Sequence, residues 1–182
     1  APRESQVNPE ELQEREMVRL LLNYADSELE EDVDLLSFFI SEFEENEFVN
    51  ESYSYIYNPF LKFRNEGKLI DSSYFLHHAT EKIKSIIAEL TLRKYYASPH
   101  WGPKYHIYFS DEKENLPKHA HENILRKKYR YLQRLIEENM NKLKDEGKSA
   151  KEIDELLERQ TVLKNADVEI AKELGIVSGR YY

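Results

Sequence analysis

The sequence contains no cysteine and only five glycines among its 182 residues. Without cysteine the chain can form no disulfide, no cysteine-ligated zinc site and no cysteine nucleophile. None of the glycines falls in a pattern that cradles phosphate groups. The chain also lacks a run of about 18 apolar residues that could cross a membrane. This composition is compatible with a reducing compartment, so we expect a cytoplasmic protein.

The acidic excess is unevenly distributed along the chain. The net charge is −9, and aromatic residues make up 12% of the sequence, which argues against disorder. Residues 1–66 hold 17 acidic and 5 basic residues, whereas residues 67–182 hold 18 acidic and 21 basic residues. The first part therefore repels a nucleic-acid backbone, but the second part leaves room for a basic strip.

Residues 118–177 have the periodicity of two long helices joined by a short turn. Apolar side chains recur there at spacings of three and four, which places them along one stripe of each helix. The first stripe holds Leu125, Tyr129, Leu132, Ile136, Met140 and Leu143; the second holds Ile153, Leu156, Leu157, Leu163, Ile170 and Leu174, interrupted by Gln160 and Asp167. Gly147 suits a helix C-terminus, and Ser149 with Glu152 forms a capping-box pattern. We expect an antiparallel hairpin in which the second stripe packs largely on the first.

Five shorter helices are predicted in the N-terminal part of the chain. They begin at Asn8, near residue 32, near residue 51, at Asp71 and at Thr80, and residues 25–31 are expected to form an acidic loop. The fold class is therefore all-α. Its parts are an N-terminal helical bundle over 8–118, a long connecting helix, and a C-terminal antiparallel helical hairpin within 118–177.

Several segments, in their order along the chain, resemble the C-terminal, helicase-binding domain of bacterial DNA primase. The helix EREMVRLLLNYAD resembles the opening helix of that domain, and Tyr74-Phe75-Leu76-His77-His78 resembles its middle. Ser98 and Trp101 match a Ser-x-x-Trp connector, and EIAKELGIV at 169–177 resembles the end of the domain. The resemblance covers about 10–177, almost the whole chain.

The resemblance implies a non-catalytic interaction domain. In that family the C-terminal hairpin docks on the N-terminal domains of the hexameric replicative helicase, recruits primase to the fork and modulates both activities. Residues 149–177 correspond to the docking part, and Ala1 in place of Met fits a fragment of a longer primase. No catalytic residues, metal ligands or cofactors are expected here, although the parent protein would be a DNA-directed RNA polymerase.

Candidate helicase-interface residues lie off the packing stripe of the second helix. They are Lys164, Val168, Lys172, Ile176 and Val177, and the apolar members among them are expected to be exposed. An exposed apolar patch rimmed by charge is typical of a protein interface. Lys172 falls at the Ala-Lys pair of the family resemblance.

A basic strip on the long helix is a second candidate surface. Arg126, Lys127, Arg130 and Arg134, interleaved with two tyrosines, could contact single-stranded nucleic acid, weakly or indirectly. The alternative interpretation is a solvated helix face.

Two smaller features have ordinary structural explanations. His77 and Glu81 have the spacing of two metal ligands on a helix, but no third ligand is specified, so packing or surface histidines are favoured. Trp101 is expected to fill the junction between the bundle and the long helix.

Two other functions remain open at this stage. One is a helicase-type N-terminal oligomerisation domain, and the other is a helical module for single-stranded nucleic acid. The sequence does not fix the oligomeric state, and it leaves a domain-swapped dimer open, since a hairpin on a long arm suits one.

Overall fold

The computed structural model describes residues 8–43, 48–92, 112–145 and 147–176. The chain divides into two compact units, Ala1–Ile124 and Leu125–Tyr182. In order, the elements are α1 (Pro9–Tyr24), β1 (Glu28–Glu30), β2 (Val33–Asp34), α2 (Leu35–Glu42), α3 (Glu51–Asn65), α4 (Ser72–His78), α5 (Glu81–Thr91), α6 (Leu116–Lys144) and α7 (Ala150–Glu173). The all-α fold class is confirmed, with one very small sheet added.

The first unit is built around the buried face of α1. Asn8 begins this helix, and its Oδ1 accepts a hydrogen bond of 3.0 Å from the amide of Glu10. Apolar side chains of α1 pack with those of the four helices that follow, and α1 contacts α2, α3 and α5. The buried core includes Met17, Val18, Leu20, Leu21, Leu35, Leu36, Phe39, Ile56, Tyr57, Phe60, Phe75, Ile83, Ile87 and Leu90.

The acidic segment after α1 differs from its prediction. In place of a loop over 25–31 and a helix from residue 32, β1 and β2 pair antiparallel before α2 begins. Asp32 takes a positive φ of 64° in the turn, a conformation that Asp tolerates better than most residues. The carboxylate of Asp34 then caps α2 at Ser37 N (2.7 Å) and pairs with Arg64 (2.8 Å). Asp34 thus links this segment both to its own helix and to Arg64 in α3.

The N-terminus of α3 is fixed by a buried carboxylate from α1. Glu14 is fully buried, and its two oxygens accept hydrogen bonds from Val49 N (2.6 Å) and Asn50 N (2.9 Å). Asn50 in turn caps α3 through its own side chain at Ser52 N, 2.9 Å away. The helix continues through Pro59, although proline removes one intrahelical hydrogen bond.

The first turns of α6 belong to the core of the first unit. Leu116, Ala120 and Ile124 are buried in that core, and Asn123 Nδ2 donates to the carbonyl of Gln13 at 3.0 Å. The helix begins at Leu116, two residues before the predicted start. The boundary between the two compact units therefore falls inside a continuous helix, at 124/125. Residue 118 as the boundary between folding domains stays a prediction.

Candidate functional site

The hairpin is formed by the second part of α6 and by α7. The capping box is present, since Ser149 Oγ accepts from Glu152 N at 3.3 Å and Glu152 Oε2 accepts from Ser149 N at 2.8 Å. Gly147 has a φ of 90°, which glycine adopts at little cost. Gln133 contacts Asp167, while Asn139 contacts Gln160, so residue numbers rise along one helix as they fall along the other. The predicted antiparallel hairpin is confirmed.

Polar side chains occupy the buried contact between α6 and α7, which we call the seam. Asn139 Nδ2 donates to Gln160 Oε1 at 2.8 Å and to the carbonyl of Leu156 at 2.9 Å. Gln133 Nε2 donates to the carboxylate of Asp167, and Asn139, Gln160 and Asp167 are all buried. Burial raises the pKa of Tyr129, and the charge of Asp167 adds to the shift. Gln160 and Asp167, the two polar interruptions of the second stripe, are therefore its most buried members. Ala171, which lies outside that stripe, is buried as well.

The expectation that the second apolar stripe packs largely on the first is wrong in part. Leu132 and Ile136 are buried, but Met140, Ile153 and Leu157 are exposed. The reason is that Asn139 and Gln160 fill the seam beside them, and a pair of helices covers only a narrow strip of each surface. Leu163, Ile170 and Leu174 are half-buried. Sequence reasoning missed this, although the interruptions at Gln160 and Asp167 were the available signal.

The exposed side of α7 carries a mixed apolar and basic stripe. Leu157 is 50% exposed and Val168 is 54% exposed. Residues 157, 161, 164, 168 and 172 follow spacings of three and four, so they share one side of the helix. Lys164 and Lys172 on this stripe are exposed, and we call the set the α7 stripe. Val162 is 67% exposed but lies outside this spacing, about 120° around α7 from Val168.

The predicted interface residues fall in different surroundings. Val168, Lys164 and Lys172 are exposed members of the α7 stripe. Ile176 is half-buried and directly follows Gly175. Its backbone amide donates a hydrogen bond of 2.8 Å to the carbonyl of Ala171. Val177 lies outside the described residues. The structure adds Leu157 to the exposed apolar surface, and Ile153 and Met140 are exposed as well.

The members of the basic strip on α6 differ in their exposure to solvent. Arg126, Arg130 and Arg134 are exposed, but Lys127 is 4% exposed. Lys127 is thus corrected from a surface contact to a buried side chain, because it lies on the same side of the helix as the buried Asn123 and Ile124. The Arg134 guanidinium lies 5.1 Å from the ring centroid of the exposed Tyr131, and that of Arg130 lies 6.0 Å from the ring of Tyr129.

The histidine cluster in α4 is an ordinary surface feature. His77 and His78 are both exposed, and the His78 ring stacks on Tyr74 with centroids 4.5 Å apart. His78 Nδ1 also lies 2.8 Å from the carbonyl of Tyr74. Within the described ranges, no group of three or more potential ligands is arranged to hold a metal ion. Ser98 and Trp101 lie outside those ranges.

One open groove lies in the first unit, between the end of α1 and the start of α4. It has a volume of about 450 Å³ and is lined by Leu21, Leu22, Asn23, Ala25, Asp26, Leu69, Ile70, Asp71, Ser73 and Tyr74. Of its two acidic side chains, Asp26 and Asp71, the second already caps α4 and accepts a hydrogen bond of 2.9 Å from Ser73 N. The Ser73 hydroxyl and amide lower the pKa of Asp71. This carboxylate is therefore engaged in helix capping.

Among the described helices, none combines the length and the hydropathy needed to cross a lipid bilayer. No curated protein matches the chain, and no solved structure matches it. A family model described as "Domain of unknown function (DUF8430)" matches residues 2–177. Because this match covers nearly the whole sequence, the chain belongs to the family described as Domain of unknown function (DUF8430).

Proposed function

We propose that this chain is the non-catalytic interaction domain of a bacterial DNA primase. Its hairpin binds the hexameric replicative helicase in the cytoplasm, recruits primase to the replication fork and modulates both activities. The observation that carries the proposal is the α7 stripe, where Leu157 and Val168 are at least half exposed and Val168 lies between Lys164 and Lys172. The order of the primase-like segments along the chain supports the same assignment.

The α7 stripe has the chemistry of a docking surface. Covering an apolar side chain as exposed as Val168 stabilises the complex with the partner. The stabilisation is about 25 cal/mol per Å² of apolar surface removed from water. Lys164 and Lys172 lie on the same side of the helix, so a partner with an acidic rim around an apolar groove is favoured. Ile153 and Leu157 extend the apolar surface toward the turn of the hairpin.

The direct experiment is co-elution with the hexameric helicase from the same cell, followed by light scattering. We expect the full chain to co-elute and Val168→Asp to lose most of its affinity, because the substitution places a charge in the centre of the stripe. Val162→Asp is the matched control, since it makes the same change at an exposed valine about 120° around the helix from Val168. Equal binding by both variants would place the docking surface elsewhere.

A truncation after Glu146 tests the hairpin as a whole. It removes α7 and uncovers Leu132 and Ile136, so thermal melting of the truncated chain must accompany the binding measurement. Binding by a truncated chain that remains folded would assign docking to the N-terminal bundle. Light scattering of the chain alone tests the rival oligomerisation domain: self-association without helicase binding would favour it over the primase assignment.

A further inference from the structure

We propose that the exposed basic face of α6, centred on Arg130, Tyr131 and Arg134, binds single-stranded nucleic acid. This surface belongs to a different helix from the α7 stripe, and the inference does not depend on helicase docking. Three properties of α6 support it: its local charge, the spacing of its arginines, and the exposed tyrosine beside them.

The charge of α6 is opposite to that of the rest of the chain. The helix contains eight Lys and Arg but only three Glu, giving +5, while the chain as a whole carries −9. At physiological ionic strength the screening length is about 8 Å, so acidic residues farther away than this contribute little at this face. The neighbouring α7 packs on α6 and holds four basic and seven acidic residues, so the two helices together carry +2. An anionic partner therefore meets a locally basic surface, despite the acidic protein around it.

The arginines are arranged along the helix at regular intervals. Arg126, Arg130 and Arg134 are exposed and are separated by four residues each, which corresponds to a rise of about 6 Å per step. This spacing forms a ridge of guanidinium groups, and guanidinium is suited to bidentate contact with phosphate oxygens. A flexible single strand can follow such a ridge with successive phosphates.

Tyr131 provides the feature that selects an unpaired strand. Its side chain is 43% exposed, and the Arg134 guanidinium carbon lies 5.1 Å from its ring centroid. An exposed aromatic ring offers a stacking surface to any base, and an adjacent arginine strengthens such platforms. In a duplex the base faces are already stacked inside the helix, so only a single strand can use the ring.

Acidic residues lie at both ends of this face, with Glu122 one turn before Arg126 and Glu138 one turn after Arg134. Glu138 lies 4.0 Å from Arg134 Nε, and both side chains are about half exposed, at 54% and 45%. Surface pairs of this kind contribute little and exchange readily with a stronger anion. Glu137 is also exposed on the same part of α6, so it limits the surface toward the C-terminal end of the helix. The binding face therefore runs from Arg126 to Arg134.

The test is fluorescence anisotropy of a labelled oligothymidylate of about 15 nucleotides, titrated with the full chain at several salt concentrations. With three phosphate contacts, log K should fall against log salt with a slope of about −2, since each contact on a single strand contributes about −0.7. The double variant Arg130→Gln, Arg134→Gln should reduce the slope to about −0.7. Tyr131→Ala should weaken binding roughly fivefold or more, whereas Tyr131→Phe should retain it.

The matched control is Lys151→Gln with Arg159→Gln, which removes the same charge from exposed positions on α7. Loss of binding in the α6 variant but not in this control supports the proposal. Equal loss in both, or no binding by the unmodified chain, overturns it. If heparin and duplex DNA compete as well as the oligonucleotide and Tyr131→Ala has no effect, the face takes a general polyanion or acidic protein, and the proposal fails. Val168→Asp should leave oligonucleotide affinity unchanged, which separates this test from the helicase experiment.

Discussion

The side-chain amide of Asn139 donates a hydrogen bond of 2.8 Å to Oε1 of Gln160 in the buried seam of the hairpin. The pair fixes the register of α6 against α7, because a slip by one residue would bury these amides without partners. Asn139 Oδ1 and Gln160 Nε2 have no hydrogen-bond partner among the described residues. The seam therefore gains specificity from the pair and only modest net stability.

Asn139→Ala should destabilise the hairpin. The change removes the hydrogen bonds to Gln160 and to the carbonyl of Leu156, and it leaves both groups buried. We expect a loss of about 2 kcal/mol in the free energy of unfolding, measured by urea titration. Asn141→Ala, an exposed change on the same helix, is the control and should have little effect. Equal losses at both positions would contradict the role assigned to the pair.

Replacing both members of the pair should have a different result. Asn139→Leu with Gln160→Leu removes the donor and the acceptor together, so no polar group of the pair is left buried. We expect stability equal to or above that of the unmodified chain, with strong non-additivity against the single variants. The same variant should show less uniform packing by NMR, because apolar contacts define the register less strictly. Additive losses in the double-mutant cycle would show that the two side chains act independently.

Glu14→Gln should destabilise the first unit. One carboxylate oxygen accepts from Val49 N and the other from Asn50 N, and the side chain is fully buried. An amide can accept at only one of these positions and presents a donor to the other amide. We expect a loss of about 2–3 kcal/mol in the free energy of unfolding, read from chemical denaturation. Glu11→Gln, on the same helix but half-buried, should change stability far less.

Stability at acidic pH should depend on Glu112. The hydrogen bond from Arg19 is the main cause that holds the pKa of Glu112 below its ordinary value, and Tyr24 adds a second hydrogen bond of 2.9 Å. Because the folded pKa is depressed, this contribution is present above the ordinary carboxyl pKa and is lost as pH falls through the folded pKa.

The corresponding measurement compares Glu112→Gln with the unmodified chain across pH. The variant should be less stable by about 1 kcal/mol near pH 7, a value that allows for partial solvent screening of this pair. The difference should shrink toward about pH 3, where both chains carry an uncharged side chain at this position. Glu114→Gln changes an exposed carboxylate in the same turn, so it is the matched control and should change the free energy of unfolding little. A constant difference at all pH values would contradict the ion-pair explanation.

Local patterns in the sequence predicted most helix boundaries correctly. Asn8, Asp71 and Ser149 cap helices as expected, and Gly147 and Gly175 take positive φ at helix ends. These features depend on residues within one turn of each other, so the sequence contains the full information. The strands around Asp32 escaped prediction because Asp34 is held by Arg64, thirty residues away.

The candidate surfaces could also be predicted from the sequence only in part. The basic character of α6 and the positions of Val168 and Lys172 on one side of α7 follow from composition and helical period. Burial of Lys127 and exposure of Leu157 did not follow, because they depend on what covers each position in three dimensions.

The sequence by itself determined the helices, their caps, the hairpin and the opposite charges of α6 and of the chain as a whole. The tertiary structure alone decided that Asn139, Gln160 and Asp167 fill the seam while Met140 and Leu157 face outward. The physical reason is that periodicity assigns a residue to a side of a helix, whereas burial requires a partner surface. In a two-helix hairpin that surface is narrow, so a difference of one position separates a buried amide at 139 from an exposed thioether at 140.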